Sequence, residues 1–191
     1  MIKLILDAGH GWFTKGKESI FHKITSGLFR GKARLKENNY NEAICNKVSV
    51  LYDNSVFITN EWYDVTLKER IAREHKEHTH KSLFLSIHAD AFEKKDTAEG
   101  GRFYYYSQRG KIIAQYMTNW MRDNGYGLYL RHPKQADFYV LKHSKSFAVL
   151  FEAGFMTSEH DLKEIEKETY RNKTSKLLND CVRAMPESLV A

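Results

Sequence analysis

The chain has 191 residues, 42% of them hydrophobic and 28% charged, proportions that exclude a disordered or low-complexity polypeptide and favour one domain with a real core. Thirty Lys and Arg against 24 Asp and Glu give a formal net charge of +6 and a pI near 9.1, a balance that favours anionic partners such as nucleic acid, acidic lipid or an anionic cell wall. No apolar run reaches the roughly 18–20 residues that span a bilayer, and Ile2 to Leu6 stops at Asp7, short of the roughly 7–15 residues of a signal-peptide core. Synthesis in the cytoplasm without stable membrane insertion is therefore expected, with a monomer favoured. Cys45 and Cys181 are expected to be free, buried thiols of a reducing compartment.

Taken in chain order, short β-type runs alternate with helical patterns. The pattern predicts a strand at Lys3 to Asp7, a helix over 37–52, a strand at Val56 to Thr59, a helix over 67–78 and a strand at Leu83 to His88. Further strands are predicted at Arg102 to Tyr106, Phe138 to Leu141 and Phe147 to Phe151, with helices over 109–123 and 170–185. Such alternation reads as βαβ units, hence an α/β three-layer sandwich with a twisted, largely parallel sheet and helices on both faces. Thr66 with Glu69, and Ser158 with Asp161, have the spacing of helix N-terminal capping boxes. Only Pro133 and Pro186 occur and no linker composition interrupts the chain, so residues 1–185 are expected to form one domain and 186–191 a short tail. Residues 11–36 lack periodicity and carry four glycines, which suggests a loop walling a site.

In open α/β sheets ligands bind beyond the carboxyl ends of the strands, so polar residues there outrank polar residues elsewhere. His10 follows the first strand within Asp7-Ala8-Gly9-His10-Gly11, His88 ends the strand that starts at Leu83, and Glu152 ends the run from Phe147. Two histidines and a carboxylate on one rim suggest a metal. Hydrolytic zinc takes three protein ligands and keeps one position for water, so a further carboxylate is needed. Glu37 and Glu42 are the candidates; five residues apart on a helix they point about 140° apart, so at most one faces the rim. The apolar stripe of Ile44, Val48 and Leu51 places Glu37 at the N-terminal turn, near the loop that carries His10, and favours it. Asn41, one turn on, is positioned to hold that ligand.

These residues, Asp7-Ala8-Gly9-His10-Gly11, Glu37 with Asn41, Ser86-Ile87-His88-Ala89-Asp90 and Leu150-Phe151-Glu152-Ala153-Gly154-Phe155-Met156, together resemble the zinc-dependent N-acetylmuramoyl-L-alanine amidases of the amidase-3 type. Order and spacing match from about residue 1 to residue 185. Thr66-Leu67-Lys68-Glu69-Arg70 and Phe138-Tyr139-Val140-Leu141 are similar to two further family segments, and Thr14-Lys15-Gly16-Lys17-Glu18-Ser19 looks like a loop of a phage-associated and bacterial subgroup. Departures are Ala8 and Phe147, where the family commonly has proline. The resemblance implies His10, Glu37 and His88 as zinc ligands and Glu152 as catalytic carboxylate. It implies as substrate the amide between N-acetylmuramic acid and L-alanine in peptidoglycan, reached from the cytoplasm after release, as by a phage lysin or a bacterial wall-remodelling enzyme.

Other signals rank lower. Glu74 to His80 is histidine-rich but lacks the His-Glu-x-x-His spacing and ends a helix that leads away from the rim. Arg131 with His132 is a candidate substrate or oxyanion contact, and Tyr104-Tyr105-Tyr106 reads first as strand packing. Two rivals remain: an inactive basic module that binds cell wall or nucleic acid, and a zinc carboxypeptidase. The first has no need of three ligands and a base; the second joins its first His and Glu as His-x-x-Glu, which is absent here.

Overall fold

The apolar runs at Lys3, Leu83 and Phe147 become the central strands of one sheet. A computed structural model describes residues 1–11, 14, 35–91 and 98–190. In order these form β1 (Lys3–Ala8), α1 (Glu37–Leu51), β2 (Ser55–Phe57), α2 (Leu67–Glu77), β3 (Ser82–Asp90), β4 (Arg102–Tyr105), α3 (Gln108–Asp123), β5 (Lys134–Gln135), α4 (Tyr139–His143), β6 (Phe147–Phe155), α5 (Glu159–Ile165) and α6 (Glu168–Ala184). The sheet order is β2-β1-β3-β6-β4-β5. The first four strands run parallel, β4 runs antiparallel to β6, and β5 runs parallel to β4.

Side chains alternate across each strand, and the alternation builds two cores. Leu4, Leu6, Leu83, Leu85, Ile87, Phe103 and Phe151 face the large one, where α1, α3 and α6 bury Ile44, Val48, Ile113, Met117, Leu178 and Val182. Ile5, Phe84, Ala148 and Leu150 face a smaller one, closed by Ile71 of α2 and by Val140 and Leu141 of α4. Helices therefore cover both faces, as the α/β sandwich requires. Cys45 and Cys181 are free and buried. Residues 187–190, assigned by sequence to a tail, form a 3-10 turn whose Val190 is buried in the large core.

Both capping residues act as their spacing predicts: Thr66 accepts from the backbone N–H of Glu69, and Ser158 from that of Asp161. One predicted strand is wrong. Phe138 to Leu141 is not extended; Phe138 precedes the short helix α4, which lies over the second face and packs Val140 and Leu141 onto it. The β-branched and aromatic composition of this segment suits a strand, and tertiary burial overrides that preference. Two strands also run past their expected ends, β3 to Asp90 and β6 to Phe155. Most of the loop expected to wall the site, residues 12–13 and 15–34, lies outside the described residues, as does all but Thr14 of the Thr14 to Ser19 segment.

Candidate metal centre and active site

Asp7, Ser86, His88, Leu150 and Glu152 occupy the alternation that faces α2 and α4, and at the carboxyl end of β1, β3 and β6 that face opens into a cavity of about 620 Å³. His10, Glu37, His88 and Glu152 all line it. His88 and Glu152 are register partners on adjacent parallel strands, immediately before a register shift between His88 and Asp90. The sequence-predicted rim is thus assembled by the sheet itself.

Glu37 lies in the first turn of α1, almost fully buried, and its carboxylate reaches both imidazoles. Oε1 is 3.0 Å from Nδ1 of His88, and Oε2 is 3.4 Å from Nε2 of His10. The two rings meet edge to face with centroids 5.2 Å apart. Ligand atoms of His10, Glu37 and His88 all lie within 4.8 Å of one another, the only such group of three among the described residues. Two imidazole nitrogens and one carboxylate oxygen suit a borderline-soft divalent ion better than calcium or magnesium, which favour all-oxygen shells. Glu42 does not line the cavity. The histidines of 75–80 join no such group: His75 contacts the carbonyl of His143, and His78 the hydroxyl of Ser146.

The loop carrying His10 is gripped from both helical layers. From α1, Asn38 donates to the His10 carbonyl at 3.1 Å, and Asn41 donates to the Gly9 carbonyl at 3.0 Å while lying 3.5 Å from Oε1 of Glu37. Asn41 thus stands behind the ligands rather than in the cavity. From α2, Arg70 donates to the carbonyls of Ala8 and His10, and through Nε to that of Val65. The same guanidinium pairs with buried Asp7 at 2.6 Å, whose other oxygen accepts from Ser86 at 2.5 Å. Held this way, His10 has φ +62°, the one positive value outside glycine among the described residues. Gly9 is required by close approach, since a Cβ there would lie 2.0 Å from the His88 ring.

The roles of Arg70 and Asp7 escaped the sequence reading, although both lie in segments that it names. Arg70 and Glu74 share the inner face of α2 and are 3% and 0% exposed, whereas Leu67 is 52% exposed on the cavity wall. A charged pair at helical spacing flanking Ile71 was the available signal. Phe138 and Tyr139 supply the opposite wall.

Arg131 does not line the cavity. Its Nη2 lies 3.7 Å from Oδ2 of Asp90, which does, and its guanidinium covers the Phe155 ring at 4.6 Å. Burial, and then repulsion from Arg102, hold its pKa below the usual arginine value. Tyr104 and Tyr106 pack against the smaller core and Tyr105 against the larger, in line with strand packing.

Residues 4–184 match the family of N-acetylmuramoyl-L-alanine amidases. Among relatives, the chain is 26% identical over 181 residues to YqiI of Bacillus subtilis (strain 168), covering 89% of this chain and 78% of that protein. It is 32% identical over 101 residues to N-acetylmuramoyl-L-alanine amidase LytC of the same strain, covering 51% of this chain but only 20% of LytC. The crystal structure of an N-acetylmuramoyl-L-alanine amidase from Clostridium difficile 630 superposes with a TM-score of 0.81 at 23% identity, covering 96% of this chain and 95% of that one. Since the family match spans nearly the whole sheet and every strand that lines the cavity, the chain belongs to the N-acetylmuramoyl-L-alanine amidase family and is a cell-wall amidase.

Proposed function

We propose that the chain hydrolyses the amide between the lactyl group of N-acetylmuramic acid and L-alanine in peptidoglycan, with His10, Glu37 and His88 holding zinc and Glu152 acting as general base. The observation that carries the reading is the convergence of the two imidazoles and the Glu37 carboxylate at one end of a cavity that Glu152 also lines. Zinc, when bound, acidifies water and polarises the scissile carbonyl.

The protein's own groups do the rest. Glu37 is buried against both histidines, so it fixes their rings as well as contributing an oxygen. Glu152 sits on the strand beside His88, lines the same cavity and stands outside the three-residue ligand group. It takes a proton from the attacking water and returns it to the departing alanine nitrogen, the two transfers that an amide hydrolase must make. Leu67, Val65, Phe138 and Tyr139 add apolar surface to the lining of the cavity.

An inactive wall-binding module is not favoured, because such a protein has no use for a convergent ligand set and an opposed carboxylate. The test is product analysis of digested peptidoglycan: new L-alanine amino termini with unchanged reducing sugars are expected, and new reducing ends without amino termini would refute the reading. Glu152→Gln should keep its zinc and lose at least about 10²–10⁴-fold in turnover. Loss of zinc in that variant would make Glu152 a ligand, and near-normal turnover would remove it from the mechanism.

A further inference from the structure

Beyond Glu152 the sheet changes direction, and the change sets two arginines behind residues that line the cavity, Arg102 opposite Glu152 and Arg131 beside Asp90. Arg102 on antiparallel β4 is the register partner of Glu152, so both side chains leave the sheet on the cavity face. The Arg102 guanidinium lies over Tyr104, whose ring contacts Phe138 of the cavity wall. Arg131 reaches the same place from the next segment, its backbone N–H bonded to the Gly101 carbonyl. Its contact with Asp90, at 3.7 Å, is longer than a hydrogen bond.

The pair has hydrogen-bonding capacity left over. Nε of Arg102, and both Nε and Nη2 of Arg131, are buried and have no hydrogen-bond partner among the described residues. Guanidinium N–H groups withdrawn from water and left unbonded are rare unless a ligand completes them, and a carboxylate matches their planar fork. Arg102 also repels Arg131, and this repulsion outweighs the attraction of Asp90.

We infer that Arg102 and Arg131 form a carboxylate subsite, which holds the α-carboxylate of the stem-peptide residue that follows L-alanine while the amide is cleaved. The inference rests on the amidase reading and names the substrate group recognised. Its reach is consistent: adjacent strands lie about 4.7–4.9 Å apart, and one extended residue spans about 3.3–3.6 Å. A carboxylate one residue past the scissile bond therefore has the length to reach from Glu152 to the strand that carries Arg102.

The experiment compares N-acetylmuramoyl-L-alanyl-D-glutamate with its α-amide, N-acetylmuramoyl-L-alanyl-D-isoglutamine, as substrates of the zinc-loaded enzyme. The free acid should be preferred by about tenfold or more, expressed in KM rather than kcat. In Arg131→Gln and in Arg102→Gln the ratio should fall towards one, with Arg131→Lys intermediate because it keeps charge but loses the fork. Calorimetric binding of the two product dipeptides to wild-type and variant proteins reads the same ratio without turnover, and thermal melting confirms that each variant is folded. No preference in the wild type, or an unchanged preference in folded variants, overturns the subsite. If neither substrate releases alanine amino termini, the amidase reading falls, and the dipeptide ratio still decides the subsite.

Discussion

The two faces of the sheet divide the labour of this fold. On the α1, α3 and α6 side, alternate residues of β1 are Leu4, Leu6 and Ala8, and nearly everything they meet is apolar. On the α2 and α4 side the same strand presents Ile5 and then Asp7, which joins Arg70, Ser86 and Thr59 beneath the cavity. The large core sets the sheet; the small face carries charge, strain and chemistry on a surface already fixed from behind. Stability and metal binding should therefore be separable by choosing the face.

Glu37→Ala makes the sharpest break in the chemistry, although Glu37 reaches the rim from the first turn of α1, on the large-core side. It removes the only carboxylate in the ligand group and should abolish stoichiometric zinc by elemental analysis, whereas Glu42→Ala should keep it. The reverse outcome would show that α1 presents a different face to the rim. Phe151→Ala tests the other side: its ring stacks on Phe103 with centroids 4.4 Å apart in the large core, and its loss should cost about 3–5 kcal/mol in chemical denaturation. Zinc affinity of the folded fraction should stay near wild type, and a parallel fall in affinity would mean the faces are not separable. Arg70→Met is the variant expected to cross the divide. Leaving Asp7 buried without its cation costs about 3–5 kcal/mol, and releasing the carbonyls of Ala8 and His10 should weaken zinc as well.

Asn41→Ala sharpens the comparison on a smaller scale. It frees the Gly9 carbonyl and one side of Glu37, so zinc affinity measured by competition with a chelator should fall about 10–100-fold, with turnover at saturating zinc largely retained. The smallest effect is expected far from either face. Val50 is 82% exposed, and Val50→Thr should change stability by less than about 0.5 kcal/mol in the same denaturation assay.

The sheet was legible in the sequence because its central strands are continuous apolar runs that end in polar residues, and His10, His88 and Glu152 stand where those runs give out. The cap at Thr66 was legible because capping is local chemistry. What failed was decided at a distance. Phe138 to Leu141 has strand composition and becomes a helix because its apolar residues find a place over Ala148 and Leu150. Lys134 and Gln135 form a strand with no apolar signal at all, being exposed on the sheet edge. Arg70 is named only within a family-like segment, because its partners, Asp7 and three backbone carbonyls, include contacts that span up to 63 positions of sequence.

The doubly gripped loop from Ala8 to His10 joins the two helical layers through the same few carbonyls that aim a ligand. Any ion that binds the native site and not the unfolded chain draws the folding equilibrium with it, by about 2.7 kcal/mol at a hundredfold excess over its dissociation constant. With zinc held as proposed, the melting temperature would become a function of available metal. Scarcity of the ion would then thin the population of intact molecules as well as silence them, and resistance to proteolysis would report the ion's concentration in the surroundings.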